Sequence, residues 1–190
     1  MKKLLMLLGG LILLSLGITL ILKSSFGADP VTVLFSGIAN LLNVSIGRAS
    51  QLIMMFLIVV VYFVDKKSLG FATIAHALLV GYLLDFFMQF TFTTGVIINI
   101  LGVVTMSAGL ALYIGAELGA GALDCVTMIL VAKLNLELKY VRIGLDVLFV
   151  VLGVALGAAI GYGSLIAVII TGPLIQLFLK RINRLKVINA

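Results

Sequence analysis

Six apolar stretches, near residues 4–22, 47–64, 72–90, 96–115, 141–160 and 164–180, leave this chain few ways to fold. A helix rising 1.5 Å per residue needs about 20 residues to cross a hydrocarbon core of about 30 Å, and most of these runs come close to that length. Backbone that enters lipid must satisfy its own N–H and C=O groups, which a helix does internally. With 63% hydrophobic residues, 11% charged residues and a mean hydropathy of +1.35, the chain lies far outside the range of an ordinary soluble domain. The expected class is an all-α polytopic membrane protein forming a single membrane domain over residues 1–190. The first run follows Lys2 and Lys3 as a secretory signal would. It continues to Leu22 without an A-x-A cleavage pattern, so it reads as a retained first span.

The formal charge of +6 does not point to nucleic acid, because the basic residues stand at the ends of the apolar runs instead of forming a stripe with aromatics between them. The expected partner is the lipid bilayer. One cysteine, Cys125, and one histidine, His76, make neither an intramolecular disulfide nor a ligand set, so no metal and no cofactor are expected.

Self-similarity organises the rest. GFATIAHALLVGYLLDFF pairs with GYGSLIAVIITGPLIQLFL, matching Gly70 with Gly161, Thr73 with Ser164 and Gly81 with Gly172. Upstream, at an offset of about 92 residues, Gly17 falls on Gly109, FGADP on LGAGALD, and Arg48 on Arg142. Two copies are expected, at about 4–90 and 96–180, followed by a basic cytoplasmic tail at 181–190. Each copy also holds a short segment, about 30–43 or 122–136, that as helix covers only about 20 Å. These read as re-entrant or interfacial.

Three crossings per copy make six transmembrane helices and invert the second copy relative to the first. With both termini cytoplasmic, eleven basic residues fall inside and only Lys23 and Arg48 outside, as the positive-inside rule prefers. The alternative is eight spans with parallel copies. Charge separates the two poorly; segment length favours six.

Inverted repeats containing broken helices are a recurring plan of secondary transporters. The breaks carry Gly27 and Pro30 in the first copy, Gly119 and Gly121 in the second, and each precedes a helix whose N-terminal dipole favours anions. Asp124 follows the second break; Arg142 and Asp146 stand four residues apart, on one helix face. Charged groups inside spans are costly and mark functional sites. In the first copy Asp29 lies near the place of Asp124 and Arg48 opposite Arg142, while Leu52 takes the place of Asp146. These five charged residues are the candidate ligands for a small substrate or a coupling proton. Gly70, Thr73, Gly81, Gly161, Gly163, Ser164, Gly172 and Pro173 are read as repeat packing motifs. His76 is read as a hydrogen-bonded packing residue and Cys125 as a small buried one.

The motifs GADPVTVL, SIGRAS, SLGFATIAHALLVGYLLD, GAGALD, VRIGLD and GYGSLIAVIITGP resemble the YczE/YyaS/YitT family of bacterial membrane proteins over nearly the whole chain. Asp124, Arg142, Asp146, Gly161, Gly163, Gly172 and Pro173 fall on the family's motif positions. Ala122 and Leu123 stand where the family often has Pro-Arg, Asp146 where it often has Glu, and Ser164 where it often has Thr. The resemblance implies a location in the bacterial inner membrane and, since some members are proposed exporters, a transport role. No nucleophile, nucleotide-binding loop or metal motif suggests an enzyme. The leading expectation is a secondary transporter or exporter with its site between the two broken segments, and a homodimer as its expected assembly. The alternatives are a substrate-capture subunit that needs an energising partner, and a membrane accessory or scaffold protein.

Overall fold

The computed structural model describes residues 2–188, helical wherever they are regular, with no strand among them. In order they are α1 (Lys2–Lys23), α2 (Pro30–Leu42), α3 (Ile46–Asp65) with a 3₁₀ turn at Lys66–Ser68, α4 (Phe71–Phe87), α5 (Val96–Gly115), α6 (Ala122–Leu134), α7 (Leu138–Ala155) and α8 (Tyr162–Ile188). Four stretches are long and apolar enough to cross a membrane: α1, α3 with its 3₁₀ turn, α5, and α8 as far as Arg184. The apolar α4 stops at 17 residues, and α7 carries Lys139, Arg142 and Asp146 within 18. The basic stretch expected as a tail continues α8 as helix to Ile188, and its residues 189 and 190 lie outside the described residues, as does Met1.

The backbone repeats its exceptional conformations at a constant spacing. Ser25 and Glu117 both adopt positive φ, 61° and 55°; Gly27 and Gly119 follow with 110° and 132°; Asn43 and Asn135 share 51° and 52°. Each second residue lies 92 positions after the first. Glycine suits the φ of Gly27 and Gly119, which side-chain-bearing residues rarely adopt. Asparagine is the residue after glycine best able to end a helix in the left-handed region. The two short helices that follow the breaks are 13 residues each.

The described residues form two compact units, and these do not follow the two sequence copies. One unit takes the chain up to Asp29, Leu83–Leu118 and the chain from Ile160 onward; the other takes Pro30–Tyr82 and Gly119–Ala159. Each unit therefore draws on both copies.

In the first unit α1 and α5 pack antiparallel along a seam lined by Gly10, Gly17, Gly102 and Gly109. An added Cβ at Gly10 would meet Tyr113, at Gly17 Met106, at Gly109 Leu14, and at Gly102 Ile21, each within 2.9 Å. Small residues let helix backbones approach where lipid removes any hydrophobic gain from association. The ends agree: Gly95 N–H donates to the Ser24 carbonyl (3.2 Å), and Lys3 pairs with Glu117 (3.3 Å).

In the second unit α2 lies against α7 through Gly37, where an added Cβ would come within 2.5 Å of the Gly153 carbonyl oxygen, and Asn40 donates to the Gly157 carbonyl. The short helices meet through their N-terminal halves. Leu34 of α2 and Leu123 of α6 share a cluster with Phe149, while Phe35 and Ala122 share another with Met54 and Ala77. Gly81 packs α4 against α3, its added Cβ falling 2.3 Å from Gln51, whose amide donates to the Leu78 carbonyl. Its sequence counterpart Gly172 departs from the expected packing role: among the described residues nothing lies within 4 Å of an added Cβ there. Pro173, next to it, sits inside α8, where it removes one N–H from the helical ladder.

Candidate functional site

Arg142 stands between two carboxylates in the second unit. Its Nη1 lies 3.5 Å from Asp124 Oδ1 and its Nε lies 3.5 Å from Asp146 Oδ1. Helix geometry supplies the second pair, since residues four apart share a face. The first pair needs the tertiary structure, which lays the start of α6 beside α7. Asp124 occupies the third position of α6 after its N-cap Gly121, where a carboxylate favours the helix dipole and reaches back to the N-cap backbone.

The side chains of Arg142, Asp124 and Asp146 are 43%, 50% and 23% exposed, so the cluster is open to a ligand or an ion instead of being sealed in the core. With two acids and one base, its formal charge is −1. Asp124 lies outside the candidate spans. Its apolar surroundings push the carboxyl upward, and the Arg142 guanidinium and the Gly121 backbone N–H oppose that push.

Three of the five expected charged ligands, Asp124, Arg142 and Asp146, are thus together. Asp29 is half-buried and ends the first stretch of the first unit, immediately before Pro30 opens α2. Arg48 is exposed on the first turn of α3, its backbone N–H donating to the N-cap Ser45, and it makes no ion pair among the described residues. The match of Arg48 with Arg142 is corrected by the helix starts. Ile46 and Leu138 begin α3 and α7 at the 92-residue spacing, which puts Ser50 at the place of Arg142 and Met54 at that of Asp146. Thr32 takes the place of Asp124. These three are buried, at 2%, 5% and 1% exposure, so the neutral copy is packed away where the charged one is open.

Five of the residues read as packing motifs, Gly70, Thr73, Gly161, Gly163 and Ser164, form sockets for the breaks. At the second break an added Cβ on Gly119 would lie 2.9 Å from Gly70 Cα, and Thr73 Oγ1 donates to the Ala120 carbonyl while accepting from Gly70 N–H. At the first break, an added Cβ on Gly161 would come within 2.1 Å of the Phe26 carbonyl oxygen, Gly163 N–H donates to that oxygen (2.6 Å), and Ser164 Oγ lies against Gly27. Each break therefore rests on the G-x-x-T or G-x-x-S turn of the other sequence copy. Sequence reasoning passed over Asn99, only 1% exposed, which donates to Ser24 Oγ (3.0 Å) and the Gly27 carbonyl (3.3 Å). Its signal was present, a lone amide in the apolar run VIINILG.

Comparison with known proteins gives the same placement without naming an activity. The chain matches, over residues 1–180, the family described as "Family of unknown function (DUF6198)". It is 30% identical over 189 residues to an uncharacterized protein of Haemophilus influenzae, covering 97% of this chain and 86% of that one. Against two Bacillus subtilis proteins it is 25% identical to the uncharacterized membrane protein YczE (90% and 83% covered) and 24% identical to the uncharacterized protein YyaS (92% and 91% covered). No solved structure matches. With a family match across almost its whole length, apolar helices and a membrane protein among its relatives, this chain is a membrane protein that belongs to the YczE/YyaS-related family of unknown function DUF6198.

Proposed function

We propose that this protein is a small secondary transporter or exporter of a small molecule in the bacterial inner membrane, built from two inverted three-span copies with both termini cytoplasmic. The antiparallel seam between α1 and α5 supports the inversion. If α1 ends on one side of the membrane and α5 starts on that same side, the chain between them crosses an even number of times. Crossings by α3 and α4 with a re-entrant α2 satisfy that condition, whereas three crossings would make α1 and α5 parallel. The repeated backbone at the two breaks and the short helices supports duplication of one unit.

Topology is testable because the only cysteine, Cys125, is buried at 2% exposure and gives little background. Thr93 is exposed between α4 and α5, so Thr93→Cys in intact cells is expected to react with a membrane-impermeant maleimide. Reaction only after permeabilisation would overturn the six-span topology.

The observation that carries the transport reading is Arg142 bridging Asp124 and Asp146 at the start of a short helix that follows a glycine break. A half-exposed cluster of net charge −1, holding a carboxyl whose proton affinity is raised, can exchange a proton for a substrate or for Arg142 itself. Asp146→Asn removes one of the two acids and keeps side-chain shape.

In proteoliposomes with an acidic lumen and an internal pH dye, at least one solute from a panel of organic cations, amphiphiles and organic anions is expected to discharge the gradient through the wild type. The Asp146→Asn protein should elute as the same monodisperse species and show no such flux. Wild-type flux in the variant sinks the role of Asp146. Tight binding of a solute with no movement points to a substrate-capture subunit, and neither binding nor flux for any solute points to an accessory protein.

A further inference from the structure

The socket under the first break contains polar atoms that the protein leaves unmatched. Asn99 Oδ1 and Ser164 Oγ, on residues 1% and 7% exposed, have no hydrogen-bond partner among the described residues. The orientation of the Asn99 amide is dictated by its neighbours. Its Nδ2 faces two acceptors, Ser24 Oγ and the Gly27 carbonyl, and Ser24 already donates its own proton to the Ile21 carbonyl, which turns Oδ1 toward the rest of the socket. An added Cβ on Gly163 would sit 2.7 Å from Asn99 Nδ2 and 2.9 Å from Oδ1, and one on Gly27 would sit 2.6 Å from Ser164 Oγ, so both unmatched oxygens stand beside glycines of this socket.

The second break offers an internal control. There the equivalent hydroxyl, Thr73 Oγ1, is satisfied in both directions by Ala120 and Gly70. A buried acceptor without a donor costs about 1–3 kcal/mol, so the first socket is built for something that the second is not.

We propose that this socket binds a monovalent cation, with Na⁺ the best match, through Asn99 Oδ1, Ser164 Oγ and the carbonyl oxygen of Gly27. The groups on offer are neutral oxygens, two of them acceptor-only, which favours a cation, and none of the three is a carboxylate, which a divalent ion would require to offset its dehydration. The C-terminal end of α1 adds the negative end of a helix dipole beside the site. Unwound carbonyls and helix C-termini are a recurring way of holding Na⁺ in lipid, where irregular backbone must be satisfied by something other than water.

This site stands whether or not the protein moves a solute, because its readout is binding. Thermal unfolding of the detergent-purified full chain is measured in NaCl against choline chloride at constant ionic strength, from sub-millimolar to several hundred millimolar salt. Na⁺ is expected to raise Tm saturably, since a ligand of the folded state stabilises it by mass action. Ser164→Ala removes one ligand whose hydroxyl has no protein partner, so its Tm in choline should match the wild type. Its half-saturating Na⁺ concentration should rise about tenfold, equivalent to ~1.4 kcal/mol. Equal Tm in Na⁺ and choline, or an unchanged midpoint in Ser164→Ala, overturns the site and leaves a buried water as the occupant.

Discussion

Gly17→Leu is expected to abolish accumulation of folded protein in the membrane, whereas Gly9→Leu on the same helix should accumulate as the wild type does. The seam between α1 and α5 explains the difference. An added Cβ at Gly17 would lie 2.3 Å from Met106 N and 2.6 Å from its Cα, contacts with backbone that no rotamer change relieves. An added Cβ at Gly9 meets nothing within 4 Å. Overpacking by one or two methylenes typically costs about 1–3 kcal/mol, and a leucine forced between two backbones exceeds that range. The seam has no slack along its length, because Gly10, Gly102 and Gly109 are in equally close contact. Quantitative immunoblotting of membranes and size-exclusion profiles of the purified protein read the outcome. Monodisperse Gly17→Leu at wild-type yield would show that α1 and α5 do not pack along this line.

On the transport reading, Arg142→Ala should lower flux about a hundredfold, equivalent to ~2.7 kcal/mol in barrier height. The mutation leaves Asp124 and Asp146 facing each other without the guanidinium that lies 3.5 Å from both. In bulk water such half-exposed pairs contribute about 0–1 kcal/mol, but near lipid the effective dielectric falls and an unmatched carboxylate becomes expensive. The variant is therefore expected to lose Tm as well.

Adding Asp146→Asn to Arg142→Ala should return most of that Tm and none of the flux, because the repulsion goes but the site stays incomplete. Additive losses of stability in the double variant would show that the three groups are not coupled. Arg142→Lys keeps the charge but not the fork that reaches two carboxylates at once, so intermediate flux is expected.

Helix placement was legible in the sequence to within a few residues. Apolar runs at 96–115 and 164–180 became α5 and the membrane-length part of α8, and the short segments at 30–43 and 122–136 became α2 and α6. This follows from lipid as the solvent: segment length, hydropathy and glycine or proline punctuation report local backbone demands, and those are local in sequence. The Arg142–Asp146 pair was legible for the same reason, since a helix alone sets its spacing.

The sequence by itself determined a helical membrane protein, two glycine breaks and a charged helix face. Tertiary structure decided which surfaces those features meet. Asp124 joins Arg142 only because α6 lies beside α7, and Arg48 drops out because the helix starts shift it two positions from the place of Arg142. Glycines that read alike in the sequence part company: Gly81 is pressed against Gln51, whereas Gly172 faces open space. The G-x-x-T and G-x-x-S turns each hold the break of the other copy, and Asn99 reaches back across the fold to Ser24 and Gly27. A glycine's packing role is set by the backbone that approaches it and an amide's by the acceptors placed around it. Both come from chain segments tens of residues away, which no local pattern encodes.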